Sequence, residues 1–138
     1  MQYTLSILVE NQAGVLSKIS GLFSRRGFNI DSLAVGVTQD PSVSRITIVA
    51  NGDEYIVEQL EKQLNKLIEV IKVRTLEETN LIGRELMILK VNANNKTRQD
   101  IMTICSIYGA KVDDISPTSM TLELSDTPDR LDTFQAMM

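Results

Sequence analysis

The chain of 138 residues has no histidine and no tryptophan, a single cysteine, Cys105, and only three prolines, three tyrosines and three phenylalanines. Each scarcity excludes something. Without histidine the chain lacks the commonest general base and metal ligand of neutral pH. One thiol cannot close an internal disulfide, and with no Cys/His cluster a zinc site is not expected. Cys105 sits in the apolar run Ile101-Met102-Thr103-Ile104-Cys105 and reads as a buried, inert thiol. Long apolar runs are also missing. Ile46-Thr47-Ile48-Val49-Ala50 is among the longest, far short of a bilayer span, and the N-terminus has no basic, apolar or transit-like leader. No membrane association is expected. A net charge of -4 leaves no overall cationic surface for nucleic acid. With 43% hydrophobic residues, the chain can bury one core or two small ones. A cytoplasmic protein is expected, or a stromal one if the chain is plastid-encoded.

What is present is a strong alternation of strand and helix signals. Residues Tyr3 to Val9 read as a strand and Gly14 to Arg26 as a helix, whose apolar stripe is Val15, Leu16, Ile19, Leu22 and Phe23. Arg25-Arg26-Gly27 is a helix end, with cations in the last turn and glycine after it. Strands are expected from Asn29 to Thr38, Val43 to Ala50 and Ile68 to Thr75, and a second helix over Glu54 to Lys66 with Asp53 as its N-cap. This βαββαβ order predicts a ferredoxin-like α+β sandwich, two helices on one face of a four-stranded antiparallel sheet.

Leu76 to Arg84 reads as a linker, after which the order begins again. Leu86 to Asn92 is a strand, Thr97 is expected to cap a helix with Asp100 in a capping-box position, and that helix stops at Gly109. Strands over Lys111 to Ile115 and Met120 to Leu124 follow, then a helix opened by Thr127-Pro128. The expected division is therefore a first domain at 1–75, a linker at 76–84, and a second ferredoxin-like domain at 85–138 that lacks its last strand. That shortfall implies either a longer natural chain or a partner covering the open edge.

The candidate site is the turn Asn11-Gln12-Ala13-Gly14-Val15-Leu16 together with Asn29 and Ile30. A helix N-terminus exposes unpaired N–H groups and favours anions, and Gly14 lets a small carboxylate approach them. Asn11 and Asn29 could supply an acceptor for an ammonium group and further donors. The pattern suits a small zwitterion. The internal repeat sharpens it. A shift of 82 residues carries Gly27 onto Gly109, but sets Ala93 at the place of Asn11, Lys96 at that of Gly14 and Lys111 at that of Asn29. The second copy keeps the framework and loses the candidate ligand groups.

Other constellations carry less. Asp113 and Asp114 are adjacent on a strand and point to opposite faces, and Glu77-Glu78 reads as solvated loop charge. RNA recognition by an open sheet needs aromatic residues, and the strand from Val43 to Val49 has none. No catalytic residues and no metal ligands are assigned.

The segments LSILVENQAGVLSKISGLFSRRGFNIDSLAV, DPSVSRITIV and GDEYIVEQLEKQLNKLIEVIKV together make residues 1–75 resemble an ACT domain. The whole chain resembles the small regulatory subunit of acetohydroxyacid synthase, also called acetolactate synthase. The resemblance implies a non-catalytic subunit with no cofactor of its own. It implies a homodimer formed through an edge strand of the ACT domain. It also implies a catalytic large subunit as partner, carrying thiamine diphosphate, Mg²⁺ and FAD, which this chain activates. Feedback inhibition by valine, leucine or isoleucine would act at the dimer interface, through Asn11, Ala13, Gly14, Val15 and Leu16 of one chain and Asn29 and Ile30 of the other. Two other readings stand beside it: a free-standing amino-acid sensor acting on some other protein, and a small enzyme of the ferredoxin-like class.

Overall fold

The computed structural model describes residues 1–138, which divide into two compact units, Met1–Leu81 and Ile82–Met138. In the first unit β1 (Gln2–Glu10), β2 (Asn29–Val37), β3 (Val43–Asn51) and β4 (Val70–Leu76) form one antiparallel sheet in the order β2-β3-β1-β4. Helices α1 (Val15–Arg25) and α2 (Glu54–Asn65) cover one face. The second unit holds β5 (Glu85–Asn92), α3 (Arg98–Tyr108), β6 (Lys111–Ile115), β7 (Ser119–Asp126) and α4 (Pro128–Ala136), with sheet order β5-β7-β6. The chain is α+β, with two ferredoxin-like units. In the first, β1 lies between β3 and β4; in the second, β5 pairs only with β7.

Alternation decides the faces. Leu5, Ile7 and Val9 on β1 and Ile46, Ile48 and Ala50 on β3 point to the helices, where Ile19, Phe23, Leu60 and Leu64 close the core. Burying each of these side chains larger than alanine contributes about 1.5–3 kcal/mol, which is what holds α1 and α2 on the sheet. The second core is smaller and is built on Met120, Leu122, Leu124, Leu131 and Phe134. Thr127 caps α4 by accepting from the Arg130 N–H, with Pro128 in the first turn.

Two local expectations are corrected. The strand expected from Ile68 begins at Val70, because residues 67–69 form a turn: the Val70 N–H donates to the Leu67 carbonyl, and Ile68 is 90% exposed. The chain needs those residues to reverse from α2 onto the sheet. Thr97 does not cap α3. Its backbone is already helical, and no side-chain cap bond forms. Asn94 closes the turn instead. Its Oδ1 accepts from the N–H groups of Lys96 at 2.8 Å and Thr97 at 3.0 Å, while its carbonyl accepts from Arg98 N–H. An asparagine side chain folds back on the backbone two residues on, and here that geometry wins over the capping box.

The β6–β7 register shifts between Val112 and Asp114, so simple alternation does not hold at this pair; Asp113 meets Glu123 across the ladder and pushes the Glu123 carboxyl above its usual range. Cys105 is buried, and desolvation raises its thiol pKa, so the thiolate is scarce at neutral pH. No helix is long and apolar enough to cross a membrane.

Candidate functional site: the turn into the first helix

Beyond β1 the chain turns outward at Glu10. The Asn11 N–H donates to the Ser42 carbonyl at 2.8 Å, and the Asn11 side-chain amide donates to the Pro41 carbonyl at 3.0 Å. Asn11 is thereby pinned to the β2–β3 turn with its side-chain carbonyl still free to accept. That turn is itself firm. Asp40 accepts from the Ser42 hydroxyl and N–H, contacts that hold the Asp40 carboxyl below its usual pKa.

Gly14 is the residue before α1, at φ +86°, a left-handed conformation that suits glycine. It has no side chain to cap the helix, and only its carbonyl is engaged, by Lys18 N–H. The N–H groups of Ala13, Gly14, Val15, Leu16 and Ser17 find no acceptor in the protein. Val15 is buried and anchors this end of the helix, whereas Leu16 is 40% exposed beside the free amides. The nearby cation is already engaged. Lys18 pairs with Glu69, and that contact lowers the Glu69 pKa. What remains open is a run of backbone donors at the positive end of a helix dipole, with an aliphatic neighbour.

In the corresponding turn of the second unit Asn94 takes up the N–H groups of Lys96, Thr97 and Arg98, which stand where Gly14, Val15 and Leu16 do, while those further along, of Gln99 and Asp100, stay open. The two copies share a fold and differ in whether a side chain occupies the turn before the helix.

Asn29 and Ile30 lie elsewhere. The β2–β3 and β1–β3 registers set Asn29 opposite Asn51 and Asn51 opposite Gln2, at the start of β1. Asn11 follows the end of β1, near Ser44 and Val37. Seven residues of β3 separate the two places, about 23 Å at strand rise. Within one chain, then, Asn11, Ala13, Gly14, Val15 and Leu16 come together and Asn29 and Ile30 do not join them. Ile30 packs against the core, while Asn29 is exposed and donates to Asp31.

β2 is an edge strand, and Leu33, Val35 and Val37 on it are 43–59% exposed. Arg45 on β3 donates to the Ser6 hydroxyl at 2.6 Å on the helix-free face, beside Gly36. Nothing local in the sequence marks Arg45 or Asp31: Arg45 reaches Ser6, 39 residues away, and Asp31 holds Asn51 and Gln2, 20 and 29 residues away, besides Asn29.

A glycine-opened helix start on a βαββαβ sheet with an exposed edge strand defines the class, a small α+β domain of the ferredoxin-like kind. Residues 5–72 match the model of the AHAS small subunit-like ACT domain, and residues 84–138 match the model of the small subunit of acetolactate synthase. The chain is 50% identical over 130 residues to the acetolactate synthase small subunit of Mycolicibacterium smegmatis, covering 94% of this chain and 76% of that protein. It is 42% identical over 136 residues to the acetolactate synthase isozyme 3 small subunit of Escherichia coli, covering 99% of this chain and 83% of that one. The crystal structure of the acetolactate synthase small subunit from Thermotoga maritima superposes with a TM-score of 0.94 at 34% identity, over 100% of this chain and 86% of that one. The chain belongs to the acetolactate synthase small-subunit family.

Proposed function

We propose that this chain is the non-catalytic regulatory subunit of an acetolactate synthase, which activates a catalytic large subunit and makes it responsive to a branched-chain amino acid. Thiamine diphosphate, Mg²⁺ and FAD belong in this reading to the large subunit. Residues 1–75 bind the effector and form the dimer, residues 76–84 link, and residues 85–138 form the second domain. The names of the relatives support the subunit role. One buried thiol and no disulfide suit a reducing compartment such as the cytoplasm.

The observation that carries the effector site is the run of unpaired N–H groups from Ala13 to Ser17, which no side chain enters, whereas in the second unit Asn94 takes up the matching N–H groups of Lys96, Thr97 and Arg98. A carboxylate fits those donors, and Leu16 offers contact to an aliphatic side chain. Two copies pairing antiparallel along β2 would carry Asn29 and Ile30 of one chain to the Asn11–Leu16 turn of the other, because the two places lie at opposite ends of β2. The exposed Leu33, Val35 and Val37 support that edge as the interface.

Titration of valine into the parent chain and into Gly14→Asp and Gly14→Ala tests this. Aspartate tolerates a left-handed backbone better than alanine, so a greater loss in the aspartate variant reports the added carboxylate rather than strain. The reading expects binding by the parent, weakened binding by the alanine variant and none by the aspartate variant. Equal binding by all three would remove the turn from the site, and a large subunit neither stimulated nor made valine-sensitive would remove the regulatory role.

A further inference from the structure

Asp31 sits where β2 is irregular. The β2–β3 register shifts between Ile30 and Ser32, so Asp31 has no cross-strand partner. Its carboxylate gathers three side-chain amides instead. Oδ1 accepts from Asn29 Nδ2 at 3.1 Å, and Oδ2 accepts from Gln2 Nε2 at 3.2 Å and from Asn51 Nδ2. No cation joins the cluster, since the ion pairs of this chain are Lys18–Glu69 and Arg130–Asp126.

This arrangement fixes the sense of Asn29. A side-chain amide has a donor end and an acceptor end. With the donor end on Asp31, the Asn29 carbonyl is the end left for a ligand. An exposed carboxylate and an amide carbonyl side by side then present acceptors and negative charge, against the single second N–H of Asn29.

The repeat supplies a comparison. The shift of 82 residues carries Asp31 onto Asp113, which lies in the matching irregularity between Val112 and Asp114. The irregularity and its aspartate are therefore framework, but the surroundings differ. Lys111 stands where Asn29 does, and Asp113 faces Glu123 rather than an amide. Amides gathered by the aspartate belong to the first unit, as do the open N–H groups of Ala13 to Ser17.

We propose that Asp31, by accepting from the Asn29 amide and leaving its carbonyl outward, is the positioning residue that makes the effector site select the ammonium group of an amino acid over the oxygen of the corresponding 2-oxo acid. The inference rests on the reading of Asn29 as an effector residue given above. Valine and its 2-oxo acid share the carboxylate for the helix N–H groups and the same branched side chain. They differ at the second carbon. The ammonium brings donors and positive charge to the Asn29 carbonyl and Asp31. The oxo group brings a lone pair to the Asn29 carbonyl and the Asp31 carboxylate, pairs with neither and meets the carboxylate's negative charge. A site built for a donor rejects an analogue lacking it far better than a pocket rejects a change of shape. Regulation of amino-acid synthesis needs this discrimination, because the 2-oxo acid is the chemical precursor of the amino acid by transamination.

The test is calorimetric titration of the full chain with L-valine and, separately, with its 2-oxo acid, for the parent, Asp31→Asn and Asp31→Glu. Circular dichroism and dimer size check that each variant folds. The parent is expected to favour valine, and Asp31→Asn to lose about ten- to a hundredfold in valine affinity while its affinity for the 2-oxo acid stays level or rises. Asp31→Glu keeps the charge and is expected to restore part of the preference. Equal loss for both ligands in Asp31→Asn overturns the proposal, since a merely structural role would do that. An unchanged preference, or a parent that binds both ligands alike, overturns it too and leaves the effector site standing. A parent that binds neither ligand overturns the effector site and this inference with it.

Discussion

Asn11 and Asn29 stand at opposite ends of one sheet, Asn11 tied to Ser42 and Pro41 and Asn29 opposite Asn51. One amino acid spans only a few ångströms and cannot touch both within a single chain. If both bind the effector, the site is built from two chains, and its occupancy depends on the dimer. Asn29→Ala is therefore expected to weaken valine binding by about 1–3 kcal/mol through the unpaired polar groups it leaves, without changing the fold. Calorimetry beside a measurement of dimer mass checks this, and unaltered affinity would place Asn29 outside the site.

Gly52 has no room for a side chain. A Cβ there would overlap the ring of Phe28, itself buried at the end of the first core and edge-on to Phe23. Gly52→Ala is expected to destabilise the first unit by about 1–3 kcal/mol, the usual cost of forcing an extra carbon into a packed interior. Urea unfolding of the two proteins measures it. Gly83, outside every strand and helix, where an added Cβ meets nothing within 4 Å, serves as the control.

The Asp113–Glu123 contact gives stability a definite pH dependence. Glu123 is held above its ordinary value of 4.5 by the Asp113 carboxyl, so the folded protein binds that proton more tightly than the unfolded chain. The contribution is present below pH 4.5 and is lost as pH rises through the raised value. Glu123→Gln removes the repulsion. It is expected to raise the melting temperature at neutral pH and to flatten this part of the profile, and a thermal melt series from pH 4 to pH 7 reads both. A lower melting temperature at neutral pH would contradict the assignment. Asp126 acts in the opposite sense. Its pKa is lowered by Arg130, so that stability is present above the ordinary carboxylate range and is lost as pH falls through the lowered value.

Asn94 does in the second unit what no side chain does in the first. Asn94→Ala frees the Lys96 and Thr97 N–H groups, and loss of such a cap costs about 0.5–2 kcal/mol. The variant should unfold at lower denaturant while effector binding in the first unit stays unchanged, since the two turns are separate sites.

Local chemistry made much of the fold legible in the sequence. The stripe from Val15 to Phe23, the stop at Gly27, the Asp53 cap and the Thr127-Pro128 start are each decided within a few residues, and each has its place in the structure. Asn94 displaced Thr97 because two capable side chains competed within four residues, and propensity does not say which one curls back. Ile68 reads as strand from its side chain, but the path of the chain made it a turn. The contacts hardest to foresee depend on register. Asp31 with Asn51, Arg45 with Ser6 and Asp113 with Glu123 are fixed only once strands distant in sequence are aligned. Of the candidate site, the open helix start was legible from Gly14 and its neighbours. The separation of Asn29 from it was not, because that follows from sheet order.

In a dimer paired along β2, each effector site takes one half from each chain. Mixed dimers decide whether it does. Gly14→Asp and Asn29→Ala chains, each differently tagged, are unfolded together, refolded, and the doubly tagged species isolated. Each variant alone is expected to bind valine weakly or not at all. The mixed dimer joins a parent turn to a parent Asn29 at one of its two sites, and the account predicts one site per dimer with parent-like affinity. A mixed dimer no better than the single variants would contradict it, and would remove one of the two residues from the effector site.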